Sequence, residues 1–156
     1  MVVLLASFSV NAYSQTLVAQ ITTTGDVGQT GTIPVVHSQL KFTAAANKTY
    51  AFRMKGGFVA TQNYGFKWVF TGPSGVSGNC YHMGSNAYGG GSDLNCFTEH
   101  GHIATSSGTT LQVFQGTFTT SGTGGDIEFA FCQQVNSGGN PATVKKNFVM
   151  EVWEMP

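Results

Sequence analysis

The chain has 156 residues and a net charge of zero, and only 9% of its residues are charged, against about 25% in a typical soluble domain. Proteins that bind nucleic acid neutralise phosphates with an excess of Lys and Arg, so we expect no nucleic-acid partner. No apolar run reaches the roughly 18 residues of a transmembrane helix, so we expect no membrane partner either. A neutral chain with few charges is instead suited to association with other proteins.

The chain begins with an apolar and uncharged segment, MVVLLASFSVNAYSQ. One interpretation is the apolar region of a secretory signal, but no Lys or Arg precedes it. The interpretation we favour is a short extended β-arm with Val3, Leu5 and Phe8 on one side. The Gly-rich residues 24–32 would link that arm to the rest. We therefore predict an arm and hinge over residues 1–32 and one domain over residues 33–156.

From residue 16 onwards, apolar residues recur with a period of two, which is typical of half-buried β-strands. Four runs each place a row of large apolar side chains on one face: Tyr50, Phe52 and Met54; Phe66, Trp68 and Phe70; Ile127, Phe129 and Phe131; and Phe148, Met150 and Val152. Further strands are predicted at 2–9, 16–23, 33–42 and 109–119, with Gly- and Pro-rich turns between the runs. The pattern predicts an all-β, antiparallel β-sandwich of jelly-roll type, preceded by an N-terminal extended arm.

Residues 72–108 depart from this pattern, because they are Gly-rich and irregular. We predict a long loop there, with one or two short strands around NCFTEHG and HIATS. A loop of this length in a compact domain is often functional. Tyr81, Tyr88 and Phe97 are its aromatic residues, and we predict them as candidate contacts to a receptor or a glycan. Trp68, in contrast, alternates with two phenylalanines and is predicted to belong to the core.

The cysteine count is odd, with Cys80, Cys96 and Cys132, so we expect no obligatory disulfide and a small, buried role for Cys132. The loop nevertheless holds a set of soft donors that zinc prefers: Cys80, His82, Cys96, His100 and His102. Their irregular spacing fits no known zinc motif, so we predict no metal. Zinc binding and a Cys80–Cys96 disulfide, formed in an oxidising environment, remain two alternatives for this loop.

No catalytic signature is present in the sequence. The acidic residues form no pair that local spacing forces together, and no G-x-S-x-G motif occurs. The glycines at 89–91 lack the Lys and the helix of a phosphate-binding loop. We predict that the protein is not an enzyme and needs no cofactor.

Three segments carry a resemblance to a known family. They are LKFTAAANKTYAFRMKGGF at 40–58, GFKWVFTGPSG at 65–75 and GTFTTSGTGGDIEFAFCQQVNSGGNPATVKKNFVMEVWEM at 116–155. Together they resemble a β-sandwich domain found in structural proteins of tailed-bacteriophage virions, of the decoration and fibre type. The sequence departs from that family in its Cys/His-bearing loop and in Cys-Gln-Gln at 132–134, where a small residue before Gln is usual.

The resemblance implies a virion component, most simply a capsid decoration or cement protein. Its partners would be further copies of itself, as a homotrimer, and other virion proteins such as the major capsid protein. We expect residues 1–24 to supply the arm that joins it to a neighbour by β-addition. Two alternatives remain open: a receptor- or glycan-binding head domain of a phage fibre or tail protein, and a secreted bacterial β-domain cleaved near Ser14.

Overall fold

The computed structural model of the chain describes residues 15–84, 87–88, 91–104, 107–136 and 138–156. The strand predicted at 2–9, with Val3, Leu5 and Phe8, lies outside these residues. Strands are the only regular elements of the described ranges, and no helix there is long and apolar enough to cross a membrane.

Thirteen strands occur in the described chain, and every pairing between them is antiparallel. In chain order they are β1 (Thr16–Thr22), β2 (Val27–Gln29), β3 (Val35–Ala44), β4 (Thr49–Ala60), β5 (Phe66–Thr71), β6 (Ser77–Gly84), β7 (Ala87–Tyr88), β8 (Gly91–Asn95), β9 (His100–Ala104), β10 (Gly108–Thr119), β11 (Gly125–Gln133), β12 (Ala142–Val144) and β13 (Val149–Glu154).

The strands form two sheets that pack face to face. The larger sheet runs in the order β1-β13-β4-β10-β6-β8, with β12 paired to β4 and β2 paired to β12, and the smaller runs β3-β11-β5-β9-β7. Without β2, β6–β8 and β12, eight strands remain. The first, eighth, third and sixth of these (β1, β13, β4 and β10) form one sheet. The second, seventh, fourth and fifth (β3, β11, β5 and β9) form the other. This order is that of a jelly roll, so the predicted fold is confirmed. Within the β6–β8 insertion, β6 and β8 widen the larger sheet beyond β10, and β7 extends the smaller sheet beyond β9.

The space between the sheets is filled mainly by aromatic side chains, as the alternation predicted. All twelve residues of the four predicted apolar rows are buried. Phe52 stacks on Phe118 with ring centroids 4.2 Å apart, and Trp68 meets Phe114 edge-on at 5.1 Å. Such pairs add about 0.5–1.5 kcal/mol each beyond the apolar area that they bury. Cys132 and Trp68 are both fully buried, as predicted.

The turn between β3 and β4 carries the chain from the smaller sheet to the larger one and is fixed by local hydrogen bonds. Asn47 has a positive φ of 56° there, a conformation that asparagine tolerates better than most residues. The Thr120 hydroxyl donates to the carbonyl of Ala45 at 2.7 Å and accepts from the amide of Lys48 at 3.0 Å. The turn is thereby tied to the end of β10, which lies next to β4 in the larger sheet.

Residues 72–108 are not a long irregular loop, so this expectation was wrong. Their described part contains four strands, and β6 pairs with β10 over the full length from Ser77 to Gly84. The short strand predicted at HIATS is present as β9, whereas the other, at NCFTEHG, is a turn after Asn95. The inward positions of β6 hold Gly, Cys and His instead of large apolar residues, so the period of two is not visible in the sequence.

The described part of the predicted arm and hinge contributes to the larger sheet. Strand β1 pairs with β13 from Thr16 to Thr22, and β2 pairs with β12. Thr23 is buried, and its hydroxyl accepts from the amide of Phe148 at 2.9 Å. The division of the chain at residue 32 and the function of the arm stay predictions.

Candidate functional site

Strand β6 carries two different sets of side chains on its two faces. Because successive side chains of a strand point to opposite faces, Asn79, Tyr81 and Met83 face outward, while Cys80 and His82 face the core. The burial of the strand follows this alternation: Cys80 and His82 are buried, Tyr81 is half-buried, and Asn79 and Met83 are exposed.

The outward residues of β6 continue as rows across the larger sheet. Tyr81 is opposite Gln115 on β10, which is opposite Arg53 on β4, which is opposite Glu151 on β13. The next row begins with Asn79 opposite Thr117. Neighbouring strands lie about 4.8 Å apart, so these side chains form a continuous surface of amide, hydroxyl and aromatic groups.

A depression of about 540 Å³ lies in this surface over β6 and β10. Its lining residues are Phe52, Asn79, Cys80, Tyr81, Gln115, Gly116 and Thr117. The two buried members, Phe52 and Cys80, form the floor, and the exposed or half-buried members form the rim. Small-molecule sites in proteins have volumes of roughly 300–1,000 Å³, so the depression, although shallow, is large enough for a small ligand. We call it the Tyr81 depression.

Gly116 explains why β6 and β10 meet closely at this point. A Cβ on Gly116 would lie 2.0 Å from the carbonyl oxygen of Asn79, which is backbone and has no freedom to turn away. On the facing strand, a Cβ on Gly78 would lie 2.4 Å from the carbonyl oxygen of Thr117. The pair of glycines therefore allows an approach that side chains would prevent.

The lining of the Tyr81 depression contains no formal charge. The nearest charged residue in the same row, Arg53, is held by Glu151, with Nη2 of the arginine 2.7 Å from Oε2 of the carboxylate. The guanidinium also lies 5.9 Å from the ring centroid of Trp153. Because the pair is neutral as a unit, the site offers dipoles and an aromatic ring to a ligand.

A Cys80–Cys96 disulfide joins the inner face of β6 to the turn between β8 and β9, with the two Cα atoms 5.3 Å apart. Zinc binding and this disulfide were the two alternatives left open for the segment, and the structure contains the disulfide. The expectation of no obligatory disulfide was therefore wrong. The residue count misled because Cys132 is a separate buried thiol. A bonded sulfur is not a thiolate, which is the form that binds zinc, so Cys80 and Cys96 have no role as zinc ligands while the bridge is intact.

Behind the disulfide, two buried histidines meet between the sheets. His82 of β6 and His102 of β9 have ring centroids 4.1 Å apart, and they are surrounded by Phe66, Trp68 and Phe114. The Nε2–H of His82 donates to Oε1 of Gln112 at 2.8 Å. We call His82, His102 and Gln112 the buried histidine cluster.

Burial, with a smaller contribution from positive charge on His102 and His100, lowers the pKa of His82 to about 3. The hydrogen bond to Gln112 acts in the opposite sense and is outweighed. A histidine with this pKa is neutral at pH 7. The cluster thus acts as a polar part of the core, and the described residues contain no group of three or more His, Cys, Asp or Glu side chains that could hold a metal.

The other predicted site residues lie in different places. Phe97 is half-buried and packs against Phe118, with ring centroids 5.7 Å apart, so its ring belongs to the edge of the core. Tyr88 lies in β7, opposite Ile103, and its side chain is outside the described part of the chain. His100 donates from Nε2 to the carbonyl of Asn95 at 2.7 Å, which holds the turn between β8 and β9.

Sequence reasoning missed the partners of Tyr81, namely Asn79, Gln115 and Thr117. The signal that could have found them was present, because Gln115 and Thr117 alternate with the buried Phe114 and Phe118 in QVFQGTFT. What the sequence lacked was the pairing of β10 with β6.

A second depression, of about 520 Å³, opens between the edge strands β1 and β3. Its polar groups already bind one another: Asp126 accepts from the Thr43 hydroxyl at 2.6 Å and pairs with Lys41 at 3.2 Å. These two contacts, the hydrogen bond first, lower the pKa of the Asp126 carboxyl. Next to it, Leu17 and Val18 of β1 are exposed.

Comparison with protein families, with curated protein sequences and with solved structures found no match for this chain.

Proposed function

We propose that this protein is a non-enzymatic structural component of a tailed-bacteriophage virion, and specifically a capsid decoration or cement protein. The observation that carries the proposal is a jelly roll whose few charges are largely neutralised within the molecule. Five of the seven cationic side chains form ion pairs in the described residues: Lys41, Lys48, Arg53, Lys67 and Lys145. Such a surface suits permanent contacts, which are more apolar than ordinary protein surface.

Exposed apolar side chains supply surfaces for those contacts. Leu17 and Val18 are about half exposed on β1, an edge strand of the larger sheet. An unpaired edge readily adds a strand from a partner. We propose that this edge, with the preceding residues 1–14, joins the protein to neighbouring copies and to the major capsid protein. The Cys80–Cys96 bridge fits such a location, because disulfides persist on virion surfaces.

The first test is to find the protein on particles. Antibodies raised against the purified chain should label the heads of the tailed particles whose genome encodes it. Mass spectrometry of the purified particles should detect its peptides. Light scattering of the purified protein should give the mass of a trimer at low and at high salt. Absence from purified particles, with recovery only in the free or envelope fraction, would refute the virion assignment and favour a secreted β-domain.

The second test removes the segment proposed to join neighbours. A deletion of residues 1–14 should abolish attachment to particles that lack the protein, while the two sheets remain folded. A deletion of residues 1–20 is less informative, because it also removes five of the seven residues of β1 and exposes the edge of β13. Undiminished attachment of the 1–14 deletion would refute the arm.

A second candidate function is receptor binding by a fibre or tail protein. The Tyr81 depression favours it, because a rigid, uncharged depression is not needed to cement a capsid. Attachment to particles and recognition of a receptor use different surfaces of the molecule, and one chain can have both.

A further inference from the structure

We infer that the Tyr81 depression is a carbohydrate-binding site, and that its ligand is a neutral pyranose within a glycan. The inference rests on the receptor-binding candidate and does not depend on the capsid role. The ring of Tyr81 and the amide groups of Asn79 and Gln115 carry it.

The chemistry of the rim matches that of a sugar ring. A pyranose presents C–H groups on one face, which pack against an aromatic ring, and hydroxyl groups around its edge. Tyr81 is half-buried and outward-facing, so one side of it is open to such a face. Each hydroxyl both donates and accepts hydrogen bonds, and the side-chain amides of Asn79 and Gln115 do the same. Thr117 adds a hydroxyl in the row next to Tyr81.

The absence of charge in the site favours neutral glycans over acidic ones. No lining residue carries a charge, and the nearest guanidinium, that of Arg53, has both Nε and Nη2 bonded to Glu151, at 3.1 and 2.7 Å. A sialic acid, uronic acid or sulfated sugar brings an anion that this rim does not compensate. A neutral hexose needs only the dipoles that are present.

The framework of the site is rigid, which lowers the entropy lost when a ligand binds. All rim residues lie on the paired strands β6 and β10, and neither strand is an edge of the sheet. The close approach at Gly116 and the disulfide at Cys80 hold β6 from two directions. The second depression differs in each of these respects, because it lies between edge strands and its polar groups are already paired.

The experiment begins with the whole chain on an array of neutral and acidic glycans, followed by calorimetry with the best neutral oligosaccharide. Tyr81→Ala should weaken binding at least tenfold, and Gln115→Ala several-fold. Tyr81→Phe should retain most of the affinity, because the ring remains. Trp153→Ala is the matched control: this aromatic residue lies on the same face, on β13, and is separated from Thr117 by Ala51 of β4. Its loss should leave affinity within twofold.

A second measurement distinguishes a loss of binding from a loss of folding. In ¹H–¹⁵N spectra of the whole chain, the neutral oligosaccharide should shift amides of β6 and β10, and the Tyr81→Ala spectrum should show the same fold without those shifts. Binding to acidic glycans only, or neutral binding that Tyr81→Ala leaves intact, would overturn the inference. Failure of all glycans to bind the folded protein would overturn it as well. In each case, attachment of Tyr81→Ala protein to particles reports separately on the capsid role.

Discussion

The two faces of strand β6 differ in what their side chains do, although the residues alternate along one short segment. The inward residues, Cys80 and His82, meet a disulfide partner and a second histidine, and both are almost completely buried. The outward residues, Asn79 and Tyr81, meet solvent and line a depression. Substitutions on the inner face should therefore change stability, whereas those on the outer face should change binding. The following predictions test this division, from the largest expected effect to the smallest.

Acid should destabilise the fold through the buried histidine cluster. His82 has its pKa lowered from 6.5 to about 3 in the folded protein, so between these values the unfolded chain binds a proton that the folded chain does not. The contribution of the neutral His82 to the free energy of unfolding is therefore fully present above pH 6.5 and is lost as the pH falls towards 3. At about 1.4 kcal/mol per pH unit, the loss reaches roughly 4 kcal/mol. Urea unfolding between pH 7 and pH 3 measures it.

His82→Gln should flatten this pH dependence, because the amide does not titrate. Some slope should persist, since burial also lowers the pKa of His37. His100→Gln, at a half-buried histidine on neighbouring β9, is the matched control and should keep most of the slope. Equal pH dependence in His82→Gln and in the unmodified protein would show that the cluster does not control acid stability.

Removal of the disulfide should be the next largest effect. The bridge closes a segment of 16 residues, and a loop of this length contributes about 3 kcal/mol through the unfolded state. The double variant Cys80→Ser/Cys96→Ser should lose about that amount in denaturant unfolding at pH 7. Cys132→Ala keeps the bridge and controls for the loss of a buried sulfur, so its midpoint should still fall when reductant is added. The midpoint of the double variant should be the same with and without reductant. A reductant-independent midpoint in the unmodified protein would contradict the prediction.

Gly116→Ala should disturb both faces at once, because its Cβ would meet the backbone oxygen of Asn79 at 2.0 Å. Overpacking of this kind costs about 1–3 kcal/mol. The displaced β6 should also weaken carbohydrate binding. Gly122→Ala, where a Cβ would meet nothing within 4 Å, is the control. Thermal unfolding and calorimetry measure the two effects, and a Gly116→Ala protein with unchanged stability would contradict the close approach.

Tyr81→Ala should have the smallest effect on stability. Its side chain is half-buried on the outer face, and we expect a loss of about 1 kcal/mol or less in urea unfolding at pH 7. The same variant is expected to lose glycan binding. A loss comparable with that of the disulfide variant would mean that Tyr81 is a structural residue, and the division between the two faces would fail.

The fold could be predicted from the sequence because the inward residues of its long strands are almost all large and apolar. Rows such as Phe66, Trp68 and Phe70 leave only one way to face the core, and a sheet with one apolar face must cover it with another. The turns could be predicted equally well, since Gly, Pro and Asn mark the chain reversals. The insertion at 72–108 was misjudged because its inward positions hold Cys, His and Gly, which carry no clear apolar period.

The candidate site could be predicted only in part. Tyr81 was recognisable as an aromatic residue in a polar setting, but local sequence contains nothing that pairs it with Gln115, 34 positions later. Cys80 and Cys96, likewise, were visible as a pair, yet whether they bind each other or a metal depends on the distance between their strands. The sequence determined by itself which side of each long strand is buried, because periodicity is local. Only the tertiary structure decided which strands became neighbours, because register and proximity depend on the packing of the whole sandwich.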